Sequence, residues 1–323
     1  MGTLATIAMA AAISTGAPPQ MVRADIDAPG PAGPLRGTLL SPAAHDVPMV
    51  LIVPGSGPTD RNGNSPNGLQ ASTYQLIAEG LLSRGIASVR IDKRGMFGSA
   101  SAIPDANDVT IEDYATDVHA WVTTIRKRTG VSCVWVLGHS EGGLVALVAA
   151  QHTADICGLI LVSTPGRPLG KVLREQLQSN PANAPILGNA ISILDALDAG
   201  QAVDATKIDP ALMPLFAPQV QRFLMSEWRL DPATLLAGYT KPVLIVQGLR
   251  DLQVGLQDAQ RLKHANPRAE LALVANANHV LKTVRTQDRS ENFAAYSNPD
   301  LPLADNVVDV ISTFIQNSTT GQR

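Results

Sequence analysis

Strand-length apolar runs and helix-length amphipathic stretches take turns along this chain, and few folds accommodate that order. RGTLLSP and VPMVLIV read as strands, TYQLIAEGLLSRG as a helix, IASVRI as a strand and TIEDYATDVHAWVTTIRKR as a helix. Thr110 followed three residues later by Asp113 resembles a capped helix start. The strand VSCVWVL, the helix GLVALVAAQH and the strand GLILVSTP come next. Such alternation predicts an α/β fold, with a mostly parallel central sheet and helices on both faces.

From about Pro165 to Tyr239 the alternation stops. KVLREQLQ, ILGNAISILDALDAG and QVQRFLMSEW are helical patterns punctuated by proline, and they predict a helical insertion over 165–239. The sheet pattern then returns with the strand KPVLIVQG, the helix LQDAQRLKHA, the strand AELALVA and a last amphipathic helix near DNVVDVISTFIQ. The expected core is therefore 23–164 together with 240–323. There is no internal repeat and no long low-complexity tract.

At 323 residues, 45% apolar and 16% charged, the chain can bury one large core. Its formal net charge of -3 comes from interspersed charges without a basic stripe, which argues against a nucleic-acid partner. Residues 1–22 carry an apolar run from Leu4 to Ile13 followed by small residues, like the middle and end of a secretory signal without its positive start. The run is too short to span a bilayer, which takes about 20 apolar residues. Export to a periplasmic or extracellular compartment is the expectation, a cytoplasmic protein with a disordered tail the alternative. Cys133 and Cys157 begin two consecutive predicted strands, so they are near neighbours if those strands pair in parallel. Both a disulfide and two buried thiols fit that placement. No sequence feature specifies an oligomeric state.

Where VWVL gives way to LVALVAA stands Gly138-His139-Ser140-Glu141-Gly142. A strand, then G-x-S-x-G, then a helix forms a strained turn that holds the hydroxyl above the sheet edge, which makes Ser140 the candidate nucleophile. A serine hydroxyl is weak at neutral pH and needs a base and a group to orient that base. Among six histidines, His45 lies in an early polar loop, and His119, His152 and His264 fall in or at the ends of helical patterns. His139 adjoins the serine too closely to reach round to it. His279 follows the strand ELALVA in a short polar loop and is the candidate base. Asp251 follows KPVLIVQG by a few residues and is the candidate acid, ahead of Asp258 in the next helix. The order Ser140, Asp251, His279 is that of the α/β-hydrolase arrangement.

Acyl transfer also needs donors for the developing oxyanion. The Glu141 amide, directly after the serine, is one, and the loop LIVPGSGPTDRNGN offers Ser56, with Gly55 and Gly57 keeping its backbone approachable. A phosphate loop is the competing reading, but no G-K-[ST] follows, and GSGPTD lacks the third glycine of a dinucleotide site.

With PGSGPTDRNGN at 54–64, DKRG at 92–95, GHSEGG at 138–143, QGLRDLQV at 247–254 and NHVLK at 278–282, the chain resembles bacterial serine esterases of the α/β-hydrolase superfamily over nearly everything after residue 30. The resemblance implies a carboxylic ester hydrolase with a helical cap, acting on a small-molecule ester without cofactor or metal. It also implies the triad Ser140, Asp251 and His279 with the Ser56 and Glu141 amides as oxyanion donors. Pro54 stands where many members have histidine. The scaffold also carries peptidases and acyltransferases, and a binding module without catalysis is a further alternative.

Other residues have structural readings beside functional ones. Asp92, Lys93 and Arg94 end a strand, where turn salt bridges are favoured over substrate contact. Arg61 is expected to brace its loop by pairing with Asp60. Phe216, Phe223, Met225 and Trp228 in the insertion are expected chiefly to pack the cap itself, with an acyl pocket as the alternative.

Overall fold

The computed structural model describes residues 21–320 apart from 45, 153 and 287, so His45 and most of the expected N-terminal leader lie outside the described residues. In chain order the elements are β1 (Met21–Ala28), β2 (Leu35–Pro42), β3 (Met49–Val53), α1 (Thr73–Ser83), β4 (Ala87–Ile91), α2 (Ile111–Thr129), β5 (Val134–His139), α3 (Glu141–Ala149) and β6 (Ile156–Val162). The insertion contributes α4 (Leu169–Ser179), α5 (Leu187–Asp198), α6 (Met213–Phe216), α7 (Pro218–Trp228) and α8 (Pro232–Ala237). β7 (Val243–Gly248), α9 (Leu256–Ala265), β8 (Glu270–Val274), α10 (Arg289–Ala294) and α11 (Val307–Thr320) complete the chain.

The strands form one eight-stranded sheet in the order β1-β2-β4-β3-β5-β6-β7-β8. β1 with β2 and β2 with β4 are antiparallel, and the remaining pairs are parallel. Both faces are covered, and the period of two along each strand sorts its side chains between them. Leu51, Val53, Val134 and Val136 pack on one face with α2 and α3, whereas Val50, Ile52, Trp135 and Leu137 pack on the other with α1 and α11. Thr110 caps α2 as expected, with a reciprocal box in which its side chain accepts from the Asp113 amide and the Asp113 carboxylate accepts from the Thr110 amide. The insertion has its own apolar cluster, including Leu194, Leu212 and Phe216.

β1 lies outside the expected strands, and it draws Met21 and Val22 into the sheet opposite Pro42 and Ser41. Its alternation is hidden because it is an edge strand: Arg23, Asp25 and Asp27 keep it charged, and only Ile26 and Ala28 are buried. Cys133 and Cys157 form a disulfide between the start of β5 and β6, which settles the choice left open by the sequence.

The strand order positions the site. From β3 the chain moves out to β4 and then returns to the other side of β3 with β5. The loops at the carboxyl ends of β3 and β5 therefore leave in opposite directions and open a crevice between them. One of those loops carries Ser56 and the other carries Ser140.

Candidate active site

Ser140 stands between the last residue of β5 and the first of α3, with φ 55° and ψ -121°. A side chain there is strained, and the neighbours hold it in place. The Ser140 amide donates to the Val162 carbonyl at 2.9 Å, and the Gly143 amide donates to the Ser140 carbonyl at 2.9 Å. The turn closes only because two residues lack side chains. A Cβ on Gly138 would lie 2.2 Å from the Gly142 carbonyl oxygen, and one on Gly142 would lie 2.4 Å from that of Val53. All of these contacts are to backbone, which cannot move aside.

Asp251 and His279 come together from the loops after β7 and β8. Asp251 Oδ2 lies 2.8 Å from His279 Nδ1, and Asp251 Oδ1 accepts from the Gln253 and Val254 amides at 2.8 and 2.9 Å. Burial alone would raise the Asp251 carboxyl. The adjoining His279 and the two backbone donors more than offset it and hold the group below its ordinary value. An ionised carboxylate only accepts, so Nδ1 carries the proton and Nε2 of a neutral His279 presents a lone pair. Asp258, the weaker sequence candidate, is used elsewhere: its Oδ1 accepts from the Gly166 amide and Arg167 Nε, both at 3.0 Å.

His139 does not contact the chemistry through its ring, but it links the pieces. Its Nε2 lies 2.8 Å from the His279 carbonyl and its Nδ1 lies 2.9 Å from the Tyr74 hydroxyl, which in turn accepts from the Gly55 amide at 2.9 Å. Burial, reinforced by the nearby His279, pulls the His139 imidazole down to about 3, so it is neutral. Burial also pushes the Tyr74 phenol up, so it keeps its proton. The directions follow: Nε2–H donates to the carbonyl, Tyr74 O–H donates to Nδ1, and Gly55 N–H donates to Tyr74. One chain of hydrogen bonds ties the loop after β3 to the loop after β8.

Asp92, Lys93 and Arg94 diverge. Arg94 makes a two-pronged pair with Asp117, both contacts at 2.7 Å, inside the core. Asp92 receives Arg61 through Nε at 2.9 Å and Nη2 at 2.6 Å, and the Arg61 amide at 2.8 Å. The expected Arg61 partner, Asp60, instead accepts from the Asn62 and Asn64 amides at 2.8 Å, because its short side chain folds back on its own turn. Lys93 makes no turn bridge: its Nζ reaches the Gly55 carbonyl at 2.7 Å and Glu141 Oε1 at 3.2 Å, fully inside the protein.

A cavity of about 720 Å³ lies between the insertion and the carboxyl edge of the sheet. Ser56, Lys93, Ser140 and Glu141 line its floor, and Val172, Leu173, Val220, Phe223, Leu224 and Glu227 of α4 and α7 line its roof. Of the four insertion residues singled out by sequence, Phe223 and Trp228 line the cavity, whereas Phe216 and Met225 pack within the insertion. Among the described residues no group of three or more His, Cys, Asp or Glu is disposed to hold a metal ion, and no helix is long and apolar enough to cross a membrane.

Known proteins share this architecture. Est1E from Butyrivibrio proteoclasticus superposes with a TM-score of 0.58 at 19% identity, over 92% of this chain and 99% of that one. The Pyrococcus furiosus esterase Pf2001 does so with a TM-score of 0.59 at 17% identity, over 93% and 91%. In sequence, esterase EstD of Thermotoga maritima is 30% identical over 240 residues, which are 72% of this chain and 54% of that protein. This chain thus spans about half the length of that curated relative. The profile of the alpha/beta hydrolase family matches residues 49–295, from β3 past the loop that carries His279, and the chain belongs to that family.

Proposed function

We propose that this protein is a serine hydrolase that cleaves carboxylic esters through Ser140, His279 and Asp251. The observation that carries the reading is the 2.8 Å contact between Asp251 and His279 Nδ1, because it leaves Nε2 as the basic nitrogen in a loop whose backbone is tied to the residue preceding Ser140. His279 takes the hydroxyl proton as Ser140 Oγ attacks the ester carbonyl. The Ser56 and Glu141 amides receive the oxyanion. The C–O bond to the alcohol breaks, the alkoxide takes the proton from His279, and an acyl-enzyme remains. Water, deprotonated by His279, then attacks the acyl carbon and releases the acid and Ser140.

The roof of the cavity favours an apolar acyl or alcohol group, with the insertion acting as its cap. The Thermotoga maritima relative is named an esterase, in agreement with this reaction class. We also propose an oxidising compartment, periplasmic or extracellular, for which the Cys133 to Cys157 disulfide is the support.

The test is a panel of short and long acyl esters and amino-acyl amides, run on wild type and Ser140→Ala, with a fluorophosphonate probe of Ser140. Ester turnover and labelling in wild type, both lost in a folded Ser140→Ala, are expected. Preferential amide turnover would move the assignment to a peptidase. A wild-type chain that neither turns over nor labels would make it a binding module.

A further inference from the structure

We propose that Lys93 is a positioning residue of the oxyanion site, pinning with one ammonium group both peptide units whose N–H groups face the developing negative charge. The proposal rests on the assignment of the Ser56 and Glu141 amides to that charge.

The first pin acts through the peptide plane. The chain has no cis peptide bonds among the described residues, so the Gly55 carbonyl and the Ser56 N–H point in opposite directions within one rigid unit. Lys93 Nζ holds that carbonyl at 2.7 Å from inside the protein. The Ser56 N–H therefore points away from Lys93 Nζ, and both residues border the cavity that Ser140 also lines. Gly55 is also held from its amide side by Tyr74, and a Cβ placed on it would sit 3.3 Å from Ser140 Cβ, so this peptide lies directly against the serine. The need for a pin comes from the sequence. Glycine offers little steric resistance to rotation of the adjoining peptide, and Gly57, two residues on, already adopts φ 69°. Without Lys93 the Gly55 carbonyl is free to turn toward the site and present an acceptor where a donor is required.

The second pin acts through a side chain. Glu141 is the first residue of α3 and supplies the other amide, and its buried carboxylate lies 3.2 Å from the same Nζ. The remaining face of the ammonium looks onto the Tyr114 ring, 5.2 Å from its centroid. Glu227, on α7 of the insertion, completes the cluster. Burial and the neighbouring Glu141 keep its carboxyl protonated well above the ordinary carboxylate range. Its Oε1 is buried without a hydrogen-bond partner, which a neutral carboxyl tolerates at far lower cost than a carboxylate. With Glu227 neutral, the Lys93 and Glu141 pair leaves the cluster without net charge.

A purely structural Lys93 would only neutralise Glu141, and the two roles separate experimentally. Lys93→Met and the double variant Lys93→Met/Glu141→Gln are compared with wild type for thermal midpoint, for kcat and KM on p-nitrophenyl butyrate, and for inhibition by an alkylboronic acid that mimics the tetrahedral intermediate. Lys93→Met is expected to lose both stability and turnover. The double variant, which has no buried unpaired charge, is expected to regain its midpoint, yet to keep kcat roughly 30-fold to 100-fold low with KM within about threefold, a loss somewhat below that for deleting an oxyanion donor. Boronate affinity falls in parallel. Return of kcat and boronate affinity to wild-type values in the double variant would overturn the proposal. Failure of the ester assignment itself reads differently, because the wild-type chain would then show no turnover and no fluorophosphonate labelling.

Discussion

The Tyr74 hydroxyl lies 2.9 Å from His139 Nδ1 and within hydrogen-bond reach of the Gly55 amide, so a single phenol on α1 serves both the loop after β3 and the imidazole that holds His279. Tyr74→Phe keeps the ring and removes both bonds, leaving a buried donor on Gly55 and a buried acceptor on His139. The variant is expected to lose about 1–3 kcal/mol of stability, seen in urea unfolding, and roughly tenfold in kcat, as the Ser56 peptide and the His279 loop loosen together. A variant with lowered stability and unaltered kcat would show that this tether serves the fold alone.

The same imidazole sets an acid response. The folded chain keeps His139 neutral to about 3, whereas an unfolded histidine takes its proton near 6.5. Below about pH 6.5 the unfolded state therefore binds a proton that the native state refuses, and stability falls as pH drops through that window toward the folded value. Between pH 7.5 and pH 5 His139 is expected to remove about 2 kcal/mol, while Glu227, held protonated in the folded chain, acts with the opposite sign in both proteins. His139→Gln retains an N–H for the His279 carbonyl and has no proton to gain. Urea unfolding of both proteins across this range should show wild type losing about 2 kcal/mol more toward pH 5 than the variant does, and equal slopes would contradict the assignment.

Much of this arrangement is legible from local signals. Ser140 is marked by glycines at positions where a Cβ meets backbone, and Asp251 and His279 each follow a strand by a few residues, at the edge where β5 ends. Partners drawn from distant segments are not legible in this way. Nothing near Arg61 points to Asp92, 31 residues away, and the adjacent Asp60 is the obvious but incorrect partner. His139 is set aside by a steric argument about its ring and the serine, yet its position in an apolar strand carries a signal. A buried imidazole needs partners for both nitrogens, and one of them is the backbone of His279. The cluster of Lys93, Glu141 and Glu227 joins three segments, with Glu227 on a helix whose pattern shows only that it is amphipathic.

The disulfide closes a loop across a sequence separation of 24 residues, from the start of β5 around α3 to β6. In the chain-entropy account such a cross-link contributes about 3–4 kcal/mol, by restricting the unfolded chain. Cys133→Ala/Cys157→Ala is expected to unfold at correspondingly lower urea with ester turnover at neutral pH unaffected, because the bond lies at the opposite end of β5 from Ser140. Wild type treated with reductant should match the double variant. Two free thiols in the unreduced wild-type protein by mass spectrometry would remove both this expectation and the support it lends to an exported protein.

Asp251→Asn tests the orientation of His279 without removing it. The carboxylate accepts from Nδ1–H, whereas an asparagine offers its amide N–H to the same nitrogen and favours the other tautomer. The proton then sits on Nε2, where the mechanism needs a lone pair. Turnover is expected to fall on the order of 10⁴-fold, with KM little changed, as when tautomer control is lost in other triads. Stability should respond in a pH-dependent way. His279 and two amides hold the Asp251 carboxyl below its ordinary value, so the ionised group contributes stability at pH above about 3.9, the unfolded value. That contribution is lost as pH falls through the lower folded value. Wild type is thus expected to exceed Asp251→Asn in stability at neutral pH, and the gap should close on acidification. A gap that widens toward low pH would mean that Asp251 is protonated in the folded protein, and the tautomer argument for His279 would fail with it.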